Sequence, residues 1–201
     1  MKTILQLNTS ILSGNGESSR LANEFVAQLD ADEVIVRDLA AEPVPHLDAE
    51  RFGAFIAQAR NEQQKQIVAY SDKLIDEIRR ADTLVLGLPM YNFGVPSMLK
   101  AWFDHIARAG VTFRYTEKGP VGLLTGKKVY VFATRGGYYA GTPADTQTQY
   151  VRDFLAFLGI TDVEFVYAEG LAIGEASKTA SLAKAREQLQ KLVPQHLPAY
   201  A

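Results

Sequence analysis

The 201-residue sequence contains no cysteine, which excludes a disulfide framework, a thiol nucleophile and every cysteine-ligated zinc or iron-sulfur site. Histidine is nearly as scarce. His46, His105 and His196 are dispersed and none belongs to an H-E-x-x-H pattern, so no metal is expected. No run of about 18 apolar residues occurs, and the first strand starts so close to the beginning of the chain that a basic segment, an apolar stretch and a cleavage site have no room. A soluble, cytoplasmic protein without a membrane segment is the resulting expectation. Charge of one sign is also lacking: 21 Lys+Arg stand against 23 Asp+Glu, a formal net charge of -2. Such a balance offers no general attraction for nucleic acid, leaving a small molecule as the expected partner.

What the chain does contain is a regular alternation of short apolar runs and longer helical periods. TILQLN at 3–8, EVIVRD at 33–38, TLVLGL at 83–88, a run ending at Thr134 and another over 163–168 read as strands, and the nearly continuous apolarity of 83–88 suits a strand covered on both faces. Between them, apolar residues recur at helical spacing in Leu21, Phe25, Val26 and Leu29, in Ile67, Tyr70, Leu74, Ile75 and Ile78, and in Leu99, Trp102, Phe103 and Ile106. The third of these helices is expected to be capped by Ser97 and to end near Ala109-Gly110. A fourth helix, carrying Tyr150, Phe154, Phe157 and Leu158, stops at Gly159, and a fifth runs over 176–192. The prolines at 43 and 45 break regular structure, leaving a loop or short helices at 40–52. A Lys118-Gly119-Pro120 turn between two short β-rich runs predicts a hairpin-like excursion. Five strands alternating with five helices imply one domain over 1–201. Its fold class is α/β: a three-layer sandwich with a five-stranded parallel sheet, order 2-1-3-4-5, and helices on both faces.

In such a sheet, ligands bind beyond the carboxyl ends of the strands at the switch point between the first and third. Three loops reach that place. The first, from Asn8 to Ser19, is rich in hydroxyls and glycines and opens a helix, whose free N–H groups favour an anion such as phosphate. An ordinary turn capped by Ser18 or Ser19 has the same composition. Neither the Walker pattern nor G-x-G-x-x-G is present. The second loop, LPMYNFGVPS at 88–97, exposes Met, Tyr and Phe between two prolines, a stiff apolar wall for a flat ring. The third, Thr134-Arg135-Gly136-Gly137, allows backbone N–H groups to approach a ligand closely.

The strings PMYNFGVPSMLKAWFD at 89–104, RAGVTFRY at 108–115 and TRGG at 134–137 resemble the FMN-dependent NADH-azoreductase family, flavodoxin-like NAD(P)H quinone and azo reductases. The likeness runs from Ser10 to the GITD segment at 159–162. It implies that Ser10, Gly16, Glu17 and Ser18 hold the phosphate of FMN, that Met90, Tyr91, Asn92 and Phe93 flank its ring, and that Thr134, Arg135, Gly136 and Gly137 bind its pyrimidine side. Gly16 stands where relatives often carry Ser, and Glu17 suits a phosphate only with its side chain turned outward. The resemblance further implies a homodimer, with Tyr115 and Phe157 at positions similar to the family's aromatic lid; both also suit core packing.

On this reading the chain is an FMN-dependent oxidoreductase that takes electrons from NADH or NADPH and reduces a quinone or azo compound in a two-electron ping-pong cycle. No titratable catalytic residue is required, because flavin carries the hydride. Arg135 either offsets charge developing on reduced flavin or pairs with a surface carboxylate. A hydrolase built on Ser10 and His105 is disfavoured, since no G-x-S-x-G elbow exists. The alternative outside catalysis is a flavodoxin-type electron carrier, which needs a strongly acidic docking surface that a net charge of -2 does not supply.

Overall fold

Burial on both faces is what turns apolar runs into central strands, and a computed structural model, which describes residues 2–193, shows where each face goes. Strands β1 (Thr3–Asn8), β2 (Glu33–Asp38) and β3 (Thr83–Pro89) are joined through helices α1 (Glu17–Val26), α2 (Ala49–Ile56) and α3 (Glu62–Arg80). Helix α4 (Ser97–Ile106), the hairpin β4 (Phe113–Thr116) and β5 (Gly119–Gly122), strand β6 (Lys128–Thr134), α5 (Thr146–Phe157), β7 (Asp162–Ala168) and α6 (Glu175–Leu192) complete the order. The main sheet runs β2-β1-β3-β6-β7 with every pair parallel, which in order of the five strands is 2-1-3-4-5.

Side chains alternate across the sheet as the two-residue strand period requires. Leu5, Leu7, Leu84 and Leu86 join Leu74, Ile78, Trp102 and Phe103 in the larger core layer, under α3, α4 and α5. Ile4, Val85, Phe132 and Val166 face the opposite way and meet Leu21 and Phe25 of α1 and Leu182 and Leu189 of α6. At the centre of the sheet the α1 backbone comes so close that a Cβ on Gly87 would sit 3.0 Å from the Ser18 carbonyl oxygen. This contact brings the start of α1 onto the end of β3.

Several helix ends differ from the sequence expectation, each for a local reason. Helix α1 begins at Glu17 with Gly16 in extended conformation as its N-cap, so Ser18 and Ser19 lie inside the first turn instead of capping it. Pro96 precedes α4, Ser97 is its first residue and makes no capping bond. The same helix stops at Ile106 because the Thr112 hydroxyl donates to the Ile106 carbonyl oxygen at 2.5 Å. Among the described residues there are six α-helices, the addition to the expected five being the short α2 that overlaps the end of the 40–52 stretch: Asp48 accepts from the Arg51 N–H and starts α2, while Asn61 and Gln64 form a reciprocal capping box that starts α3. The expected hairpin is present, although Gly119 and Pro120 pair with Thr116 and Tyr115 inside the ladder and the turn is Glu117-Lys118. It is seated on the end of α5 at two facing glycines, where a Cβ on Gly122 would collide with the Gly159 backbone, and the Leu124 N–H donates to the Leu158 carbonyl oxygen at 2.8 Å. His196 lies outside the described residues.

Candidate active site

The carboxyl ends of β1, β3 and β6 deliver the three loops to one side of the sheet. In the first loop, the Thr9 hydroxyl donates to the Gly87 carbonyl oxygen at 2.7 Å and pins the strand exit. Ser10 is 2% exposed; its Oγ accepts from the Leu12 N–H at 3.1 Å and lies 3.3 Å from the Tyr91 hydroxyl. A tight turn over Ser13–Asn15 then leads into Gly16, where a Cβ would collide with the Ser10 hydroxyl. Gly16 therefore lets the Ser10 side chain and the start of α1 share one spot. The first-turn N–H groups of α1 have no helical acceptor, and the Ser18 and Ser19 hydroxyls, fully buried, have no partner among the described residues. The Glu17 carboxylate turns away, 2.9 Å from Lys178 Nζ and 3.6 Å from Arg20.

The second loop leaves β3 through the Met90 N–H, which donates to the Thr134 carbonyl oxygen at 2.9 Å. It reverses at once: Tyr91 and Gly94 exchange two backbone bonds of 3.2 and 3.0 Å, and Asn92 and Phe93 between them both take positive φ, +49° and +63°. Two successive left-handed non-glycine residues form a strained, sharply reversed turn. Phe93 remains half exposed with its ring edge against Tyr139, and the Tyr91 hydroxyl reaches back to the Ile11 N–H at 3.3 Å.

In the third loop the carbonyls of Arg135, Gly136 and Gly137 accept from Leu171, Ala172 and Gly170, tying it to the segment after β7. The Arg135 side chain is 1% exposed and runs inward. Its terminal nitrogens donate to Asp145 at 2.7 Å, Thr148 at 2.9 Å and Glu169 at 3.2 Å, and its guanidinium lies over the Tyr167 ring. Of the two roles read from sequence, charge pairing is the one its side chain performs here, with buried partners instead of surface ones. Glu169 in turn accepts from the Tyr139 and Ala140 N–H groups, both at 2.8 Å. Burial pushes the Asp145 carboxyl upward, but the hydrogen bonds from Arg135 and Thr148 outweigh it and hold the group below its ordinary value.

A cavity of about 420 Å³ opens among these loops, lined by nine of the residues singled out from sequence: Ser10, Gly16, Glu17, Ser18, Met90, Tyr91, Thr134, Arg135 and Gly136. Asn92, Phe93 and Gly137 neighbour the lining without belonging to it. Tyr115 is 73% exposed on β4, and Phe157 is half buried against Phe113; neither lines the cavity. Sequence reasoning did not single out Leu12, Pro89, Leu171 and Ala172 as site residues, though Leu12 and Pro89 lie in the first two loops. The 170–174 segment after the last strand carried a usable signal, apolar residues between two glycines at a strand's carboxyl end. A cavity of similar size, about 440 Å³, lies between α2, α3 and Pro43, away from the switch point.

His105 is a core residue of α4. Its Nδ1 lies 2.9 Å from the Ala101 carbonyl oxygen and its ring meets Phe55 and Tyr70 edge-on; burial holds its pKa below the ordinary histidine value. Among the described residues no group of three or more His, Asp or Glu is placed to hold a metal, and no helix is long and apolar enough to cross a membrane.

A 2-1-3-4-5 parallel sheet with a loop-lined cavity at the β1/β3 switch point defines a doubly wound α/β protein. The chain belongs to the family described as having a flavodoxin-like fold, whose pattern it matches over residues 2–193. It is 54% identical over 197 residues to an FMN-dependent NADH:quinone oxidoreductase of Cellvibrio japonicus, covering 95% of this chain and 98% of that protein. To a protein of the same description from Alcanivorax borkumensis it is 56% identical over 192 residues, 92% of this chain and 97% of the other. Among solved structures, an FMN-dependent NADH-azoreductase from Bacillus anthracis in complex with FMN superposes with a TM-score of 0.85 at 25% identity, covering 96% of this chain and all of that one.

Proposed function

We propose that this chain is an FMN-dependent NAD(P)H oxidoreductase that reduces quinones and azo compounds in a two-electron ping-pong cycle. The observation that carries the reading is the pairing, across one switch-point cavity, of an anion-binding helix start with a rigid apolar turn. At the helix start, buried Ser18 and Ser19 hydroxyls have no partner among the described residues. Buried polar groups are nearly always hydrogen-bonded, so two unpartnered hydroxyls beside free helix N–H groups fit a phosphate. The relatives named FMN-dependent NADH:quinone oxidoreductase support the same ligand and donor.

In this reading Ser10, Gly16, Glu17 through its N–H, and Ser18 hold the phosphate. Met90 to Phe93 flank the ring, and the main chain of 134–137 meets its pyrimidine edge. FMN held by these residues would supply the redox chemistry, the two-electron transfer from the nicotinamide to the acceptor. The protein's own contribution is orientation: the Met90–Gly94 turn and the 134–137 loop fix one ring face, and the exposed Leu12 and Phe93 shield its rim from water. Arg135 keeps the third loop in place and its charge is already met by Asp145 and Glu169. The unit proposed is one flavodoxin-like domain over 1–201, working as a homodimer in the cytoplasm, with Tyr115 and Phe157 at the aromatic lid.

The test is an absorption spectrum with and without FMN, followed by anaerobic NADH and NADPH in turn. Bound flavin that bleaches with a nucleotide is the expected result and names the donor. Bound flavin that neither nucleotide reduces points to an electron carrier, and failure to bind flavin overturns the reading. Steady-state double-reciprocal plots should run parallel; intersecting lines would rule out the ping-pong order.

A further inference from the structure

The turn at 91–94 does not hold itself. Asn92 and Phe93 both sit at positive φ, where non-glycine side chains are disfavoured, and the only bonds inside the turn are the two between Tyr91 and Gly94. What secures it comes from the first turn of α5. Gln147 is 1% exposed, and its Nε2 donates to the Pro89 carbonyl oxygen at 2.9 Å and to the Gly94 carbonyl oxygen at 3.2 Å, gripping the turn at both ends. Thr146 donates its hydroxyl to the Phe93 carbonyl oxygen at the tip. The helix start is itself fixed from β6, because its N-cap Asp145 is bound by Arg135.

Gln147 does not line the cavity, and its arrangement is poor value as a purely structural one. With Nε2 directed at two carbonyls, the amide orientation is set, and Oε1 is left buried without a partner among the described residues. A buried unpaired acceptor is costly, and here it accompanies bonds that hold the Pro89 and Gly94 carbonyls on either side of the strained turn, with Thr146 on that of Phe93. We propose that Gln147, assisted by Thr146, is a positioning residue for the flavin ring: it presets the 89–94 main chain in its ring-binding shape before any ligand arrives. This rests on the functional reading above.

The test separates ring from phosphate by titrating apoprotein with FMN and with riboflavin, which has the ring and no phosphate. Gln147→Met keeps length and burial and removes both donors. It is expected to weaken both flavins by the same factor, about tenfold, the size of one lost net hydrogen bond, and to shift the visible spectrum of the bound flavin. Thr146→Val, an exposed position that disturbs no core, should weaken both by about twofold to threefold and serves as the deciding variant where Gln147→Met does not fold. Gln149→Ala, on the same helix and bonded only to Asp153, should bind both as the parent does. Equal affinities and spectra in parent and variants overturn the inference alone, as does a loss confined to FMN. Parent protein that binds neither flavin overturns the functional reading and this inference with it.

Discussion

Two groups of buried polar atoms lie beside the same cavity and are treated in opposite ways. At the start of α1 the Ser18 and Ser19 hydroxyls are fully buried and have no hydrogen-bond partner among the described residues. Beneath the third loop, Arg135 is equally buried and meets Asp145, Thr148 and Glu169 through its terminal nitrogens. Leaving a hydroxyl unpaired costs stability, whereas the bonds of the Arg135 terminal nitrogens stabilise the loop from within the protein, even though its buried Nε has no partner among the described residues. On the proposed function the contrast separates a ligand-facing site from a scaffold, although the family resemblance implies cofactor contacts for both Arg135 and Ser18.

Breaking the scaffold should have the larger effect. Arg135→Ala leaves Asp145 and Glu169, with side chains 7% and 15% exposed, without their cation. We expect a loss of about 3–5 kcal/mol, or a fall of the apoprotein melting temperature of order 10 °C, read by circular dichroism. A melt within about 2 °C of the parent would mean the network is not structural. Ser18→Ala should do the reverse: an unchanged or slightly raised apoprotein melt, with FMN affinity down about tenfold to a hundredfold, as for a hydrogen bond to a charged group, and riboflavin affinity unaltered. Equal losses for the two flavins would move Ser18 off the phosphate.

Smaller effects sharpen the same contrast. Glu17→Gln removes a carboxylate that Lys178 and Arg20 hold away from the helix start. FMN should bind a few-fold more tightly at low ionic strength, and the gain should shrink in salt as screening shortens the range of the charge. The smallest expected effect concerns acid stability. Since Asp145 titrates lower folded than unfolded, the folded state binds its proton less readily. Its contribution is complete above the unfolded value near 3.9 and is lost as pH falls from there through the folded value. Urea melts from about pH 5 downward should therefore steepen in the parent relative to Asp145→Asn, and parallel pH profiles would show that the pair carries no such linkage.

Most of the frame was readable because burial on two faces leaves a mark in composition. The runs 3–8 and 33–38 occupy the strand bounds observed for β1 and β2, and 83–88 falls one residue short of the observed β3. The hairpin was legible from Lys118-Gly119-Pro120, though not its seat on Gly159, since two glycines 37 residues apart along the chain carry no local sign that their backbones will touch. Helix starts were less legible. Ser18 and Ser97 have capping side chains, yet Gly16 and Pro96 occupy the cap positions, because the close approach of α1 to Gly87 and the rigid exit of the 89–96 loop decide where each helix can begin. The segment after β7, with Leu171 and Ala172, shows apolar residues between two glycines at a strand's carboxyl end, but its backbone bonds to 135–137 join parts of the chain whose contact no spacing reveals.

Periodicity and residue type thus settled the order of elements, the parallel sheet and the three loops at its switch point, since those follow from which faces must leave water and which residues tolerate a tight turn. The direction of each polar side chain was decided in three dimensions. Arg135 turns inward because two carboxylates from α5 and the β7 exit lie within reach, Glu17 turns outward because Lys178 of α6 does, and Gln147 grips a turn more than fifty positions earlier in the chain. Each is a long-range pairing made only when the helices pack, and hydrogen bonds and ion pairs act over a few ångströms of space regardless of distance along the sequence.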